Sequence, residues 1–175
     1  MKKLFSIFAV LLCLHMNAQF EAGSQRLHLG VGIGSGYAGS GLKTGVPPVH
    51  ASYEYGISDK IGVGGLIGYT SASADLAFFG EVKYSYLIIG ARGNYHFLNT
   101  SKYDVYGGAM LGFNRASVKF ENDGGLFGIE PDAGGGVVFG FYGGGRYNFS
   151  EKFTAFAEIG YSIAWVSVGA CININ

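Results

Sequence analysis

Apolar residues recur at every second position along most of this chain, and the positions between them hold glycine and small polar residues. A period of two is the signature of a β-strand with two unlike faces. Eight such segments can be read. They run near Arg26–Gly36, Pro48–Ile57, Lys60–Ser71, Val82–Phe97, Tyr103–Val118, Gly136–Phe149, Lys152–Tyr161 and Ala164–Ile174. In the first, Leu27, Leu29, Val31 and Ile33 share a face against His28, Gly30, Gly32 and Gly34. Pro47 and Pro48 stand where the second begins, a position a strand tolerates. Short polar connections at Ser58-Asp59, Asn99-Thr100-Ser101 and Ser150-Glu151 alternate with long ones at Tyr37–Val46, Ala72–Glu81 and Lys119–Gly135, and Ser162-Ile163 closes the series. The expected fold is all-β: an eight-stranded antiparallel transmembrane β-barrel of up-and-down topology, with short turns on one side of the membrane and longer loops on the other.

The N-terminus carries an address. Lys2 and Lys3 precede an apolar run from Leu4 to Leu14, and Ala18 suits a cleavage site before Gln19. Residues 1–18 therefore read as a secretory signal peptide that is removed, and 19–175 as the barrel domain. Leu12 is too bulky for Cys13 to read as a lipoprotein acceptor. With Cys13 removed, Cys171 has no partner and no disulfide framework forms. The mature chain keeps ten basic and twelve acidic residues, so a nucleic-acid partner is not expected. No later segment is apolar over the length a membrane helix needs.

The distribution of charge decides which face meets lipid. Glu54, Arg92, Asp104, Arg146 and Glu158 fall within the apolar bands, and all five lie on the glycine-bearing face. Chance placement on a two-faced strand gives this about one time in thirty. The face free of charge is aliphatic and aromatic, as hydrocarbon contact requires. The charged face is otherwise small, as the interior of an eight-stranded barrel requires. Tyr53, Tyr55, Tyr95, Phe97, Tyr103, Tyr147, Phe149 and Phe153 gather near the short turns, the place of an aromatic girdle at the periplasmic interface.

Residues 143–149 (Gly-Gly-Gly-Arg-Tyr-Asn-Phe), Lys152-Phe153, 156–161 (Phe-Ala-Glu-Ile-Gly-Tyr) and Val168-Gly169 resemble the strand-ending pattern of the small outer-membrane β-barrel family of Gram-negative bacteria, of the OmpA/OmpX size class. Arg92–Phe97 looks like an earlier copy of that pattern. The resemblance implies location in the bacterial outer membrane, contact with its lipid and lipopolysaccharide, and delivery by the barrel-assembly machinery. One departure is the ending Ile174-Asn175, where the family usually has an aromatic residue.

The five inward charges are expected to pair across the lumen, since buried charges must be paired or solvated. They either plug the interior or line a narrow conducting path, and the inward glycines either leave room for water or accommodate Tyr106, Tyr142, Phe156 and Trp165. His50, Ser52 and Glu54 share one face of one strand, which is the cast of a hydrolase. Successive same-face residues are about 7 Å apart, too far for a relay without help from elsewhere. Gly30–Gly36 lacks the helix and lysine of a phosphate loop. Glu121, Asp123, Glu130 and Asp132 make the longest loop acidic, either a solvated surface or a cation-bridged contact with lipopolysaccharide or a partner. The expectation is a monomeric, non-enzymatic protein with no cofactor and no metal, acting as an envelope structural or surface-interaction protein; a passive channel is the alternative and a lipid-directed hydrolase a remote one.

Overall fold

A computed structural model describes residues 20–35, 43–76, 80–120 and 132–174; the signal segment and the loop candidates Glu121, Asp123 and Glu130 lie outside the described residues. The strands are β1 (Gln25–Ile33), β2 (Lys43–Thr44), β3 (Val49–Gly56), β4 (Ile61–Leu76), β5 (Gly80–Asn99), β6 (Tyr103–Phe120), β7 (Asp132–Asn148), β8 (Phe153–Tyr161) and β9 (Val166–Asn173). Apart from the two-residue β2, each strand pairs antiparallel with its neighbours in chain order, and β1 pairs with β9, so the sheet closes on itself. Closure leaves no unpaired edge, the condition for a sheet to sit in hydrocarbon.

The alternation sets the faces. Leu29, Val31 and Ile33 of β1, Ile89 of β5, Leu111 and Phe113 of β6, Phe139 and Phe141 of β7 and Val168 of β9 point outward and are exposed. Between them Arg26, Glu54, Arg92, Asp104, Arg146 and Glu158 point inward and are buried. A chain whose charges are inside and whose leucines are outside is built for a nonpolar solvent.

The strands are longer at the long-loop end than the apolar bands suggest. Expected loop Ala72–Glu81 is strand up to Leu76 and again from Gly80, with pairing as far as Leu76 opposite Gly80. Likewise β6 runs on to Phe120 and β7 begins at Asp132, which stands opposite Ser117. Within the expected Tyr37–Val46 loop, Lys43–Thr44 form β2 and pair with Ala72–Ser73. Trp165 is a second difference: the alternation predicts it among the inward residues, but it precedes β9, is half exposed and packs edge-on against Tyr161. The turn that carries it has its own inward residues, Ser162, Ile163 and Ala164, and these occupy the mouth of the barrel.

Candidate functional site

The lumen is filled in three tiers. At the short-turn end Phe20 is fully buried, its ring stacked on His96 at 3.8 Å with the Arg26 guanidinium 5.0 Å away. Asn99 ties this residue down, accepting from the Phe20 amide at 3.3 Å and donating to its carbonyl at 2.5 Å.

Above Phe20 is the first ionic tier. Asp104 Oδ2 accepts from Arg26 Nη1 at 2.7 Å and Arg146 Nη1 at 2.8 Å, while Arg146 Nη2 donates to Glu54 Oε2 at 2.6 Å. His96 bridges the two carboxylates, with Nδ1 2.6 Å from Asp104 Oδ1 and Nε2 3.2 Å from Glu54 Oε1. Asn94 donates to Glu54 Oε1 at 2.5 Å.

The second tier is centred on Arg92. Its Nη2 donates to Glu158 Oε1 at 2.6 Å, its Nε to the Tyr142 hydroxyl at 2.7 Å and its Nη1 to Ser52 Oγ at 3.3 Å. The tiers are joined by Tyr142, whose hydroxyl donates to Asn94 Oδ1 at 2.6 Å. They are also joined by Tyr106, which donates to Glu158 Oε1 at 2.8 Å and carries the Arg146 guanidinium 4.0 Å above its ring. Three arginines thus face three carboxylates, Arg26, Arg92 and Arg146 against Glu54, Asp104 and Glu158. Charge-assisted bonds of this kind offset the large cost of removing each ion from water.

The third tier is apolar: Leu66, Ile88, Met110 and Ile163 pack with Tyr106 and Tyr142 toward the long-loop end. Glycine makes room for the large inward side chains. Gly144 stands opposite Tyr106, Gly108 opposite Tyr142, Gly30 opposite His50 and Gly169 opposite Phe156. A Cβ on Gly144 would lie 2.8 Å from the Tyr106 ring and 2.9 Å from the Ala157 carbonyl. At these four positions the glycines are clearance for side chains.

All five inward charges read from the sequence therefore lie in one connected network. Sequence reasoning missed Arg26, His96, Asn94 and the two tyrosine hydroxyls as members. Arg26 opens its strand outside the apolar band, yet the even-numbered phase of His28 and Gly30 already put it inside. Tyr53, Tyr55, Tyr95, Phe97, Tyr103, Tyr147, Phe149 and Phe153, expected from the sequence to form a girdle, are all outward and exposed at the short-turn end, with Tyr103 and Tyr147 in ring contact at 5.4 Å. His50, Ser52 and Glu54 form no relay: both ring nitrogens of His50 lack a polar partner among the described residues, Ser52 is engaged by Arg92, and Glu54 by Arg146. Among the described residues, two depressions of about 440 and 340 Å³ open on the outward, lipid-facing side, around Leu29, Ala51 and Ile67.

Residues 6–167 match the family model described as the outer membrane protein beta-barrel domain. Solved structures of the same fold include the outer membrane protein OprG of Pseudomonas aeruginosa, at 14% identity and TM-score 0.57 over 91% of this chain and 100% of that one. The N-terminal β-barrel domain of Pseudomonas aeruginosa OprF gives 14% and 0.53 over 87% and 98%, and Neisserial surface protein A gives 20% and 0.53 over 86% and 94%. Among curated proteins none matches. A closed barrel with lipid-facing leucines, a charged and filled lumen and a family match along nearly its whole length make this chain a member of the outer membrane protein β-barrel family, resident in the bacterial outer membrane.

Proposed function

We propose that this protein is a sealed, non-enzymatic barrel that serves the envelope as a structural and surface-interaction element, with its working surface outside the membrane. The observation that supports this reading is the stack of side chains along the lumen, Phe20 at the short-turn end, then the two ionic tiers, then the apolar cluster around Ile163. Nothing in that stack resembles a catalytic relay, because every carboxylate in it is held by arginine. A monomer suffices, since the sheet closes within one chain.

The competing reading is a narrow hydrated path, and one observation favours it. Arg26 Nε and Nη2, Arg146 Nε and His28 Nε2 have no hydrogen-bond partner among the described residues, and buried polar atoms of this kind take water. Planar-bilayer recording of the refolded mature chain separates the two, with heat-shifted gel migration as the folding control. The sealed barrel gives no discrete conductance. Reproducible steps that change when Arg92 or Arg146 is neutralised would overturn the sealed reading and make those arginines a filter.

A further inference from the structure

The first ionic tier holds more positive charge than its carboxylates balance. His96 stands between two of them, with Nδ1 2.6 Å from Asp104 Oδ1 and Nε2 3.2 Å from Glu54 Oε1. Carboxylate oxygens only accept, so both contacts are hydrogen bonds when each ring nitrogen carries a proton, and the ring is then an imidazolium. The buried charges among the described residues are therefore four cations, Arg26, Arg92, Arg146 and His96, against three anions, Glu54, Asp104 and Glu158. Arg92 and Glu158 balance one another in the second tier. The excess of one belongs to the first tier, where Arg26, Arg146 and His96 share Asp104 and Glu54. This count takes His28 and His50 as neutral and Cys171 as a thiol; a proton on either histidine would enlarge the excess.

The same tier has unused donors at one place. Arg26 is 1% exposed and gives Nη1 to Asp104 Oδ2, while its Nε and Nη2 have no partner among the described residues. Those two atoms make one edge of the planar guanidinium, the edge that grips an anion with two parallel bonds. Arg146 gives Nη1 and Nη2 to carboxylates, and its Nε is likewise unpartnered among the described residues. The two guanidinium groups meet on one oxygen, Asp104 Oδ2, at 2.7 and 2.8 Å, so their like charges stand close together. Aromatic rings cover both: Phe20 lies 5.0 Å from the Arg26 guanidinium and Tyr106 lies 4.0 Å from that of Arg146. Water on the free edge would satisfy its N–H groups and leave the excess charge uncompensated, which is unfavourable in a low-dielectric interior. An enclosure this close admits a small ion and excludes a phosphate or an organic acid.

We infer that the free Nε–Nη2 edge of Arg26 binds one small monovalent anion of the halide class, which serves as counter-ion to the tier bridged by His96. The ion is captured as the barrel closes around the tier. This goes beyond the sealed-barrel reading and does not depend on it, since a fixed counter-ion fits a plugged lumen and a conducting one alike.

The test uses the mature chain refolded and crystallised in sodium bromide, with anomalous diffraction at the bromine edge. One peak is expected within hydrogen-bond reach of Arg26 Nε and Nη2. The solution counterpart is the urea midpoint in lipid vesicles, followed by Trp165 fluorescence in bromide or in gluconate of equal ionic strength, gluconate being too large to enter. Bromide raises the folding equilibrium constant of wild type about tenfold, the effect of roughly one charge-assisted contact. Arg26→Lys keeps the charge and a bond to Asp104 but lacks the edge, and it loses the peak. His96→Gln removes the fourth cation, leaves the Arg26 edge intact and loses the bromide effect. Lys102→Gln, exposed at the short-turn end, keeps both. Heat-shifted migration verifies folding for each, and the two wild-type measurements decide the matter if a variant does not fold. No bromide peak in wild type, a water or a protein atom on that edge instead, equal midpoints in the two salts, or a full bromide effect in His96→Gln would overturn the assignment.

Discussion

The barrel has a tall side and a short side. Strands β4 to β7 hold 16, 20, 18 and 17 residues, whereas β8, β9, β1 and β3 hold 9, 8, 9 and 8. A tilted strand needs about 9–11 residues to cross the hydrocarbon. The short side stops close to that minimum, and the tall side continues as a wall beyond the membrane. Along that wall the polarity of the faces inverts. Below, β5 places Ile89 outward and Arg92 inward; above, it places Lys83 and Ser85 outward and Val82 inward, where Val82 is fully buried. The outer solvent changes from lipid to water at that height, and the same alternation then serves the opposite pattern. The short side responds differently: its external turn bends inward and presses Ile163 against Leu66, Ile88 and Met110 of the tall strands.

This comparison can be broken at several points, the deepest being the shared lumen. Asp104 receives bonds from Arg26 and Arg146 and lies against His96, so Asp104→Ala leaves buried cations uncompensated on both sides of the barrel. It should cost about 3–5 kcal/mol, read as a lower urea midpoint by fluorescence of the single tryptophan, Trp165, in lipid vesicles. A paired experiment sharpens the polarity inversion. Leu111→Lys places a charge in the apolar band and should cost about 2–4 kcal/mol, while Ser117→Lys, six residues on along the same outward face, should cost about 0–1 kcal/mol. Similar losses for the two would mean that the bilayer boundary does not lie between them. Gly144→Ala crowds the Tyr106 ring that joins the ionic tiers, with an expected loss of about 1–3 kcal/mol. An unchanged midpoint there would mean that the lumen has slack.

Much of this architecture was legible in the residues. Lipid contact demands an unbroken apolar face, so the alternation through Leu27–Ile33 or Leu87–Ala91 reveals strand, face and environment together. The upper limits of the tall strands were legible only in part: the reading from Val82 and to Val118 comes within two residues of the ends of β5 and β6, whereas β4 and β7 extend to Leu76 and Asp132, beyond Ser71 and Gly136, where the outward row is no longer apolar. Lys83 and Arg115 lie in the strands but above the apolar band, so the exclusion of charge from the lipid face does not reach them. Arg26 and His96 kept the correct phase, yet phase alone does not say which carboxylate a side chain reaches. Phe20 carried no signal, since a lone aromatic next to the cleavage site has no periodic neighbours to align with.

Sequence by itself determined the local and one-dimensional properties: strand period, the sign of each face, the number of crossings and the exclusion of charge from lipid. Each of these follows from a residue and its neighbours two positions away. Tertiary structure alone decided the properties that need closure. Glu54 meets Arg146 across 92 residues of chain, and Ile163 meets Leu66 from opposite sides of the barrel. The strand stagger that brings them together is set by the packing of the whole ring, which no single strand encodes.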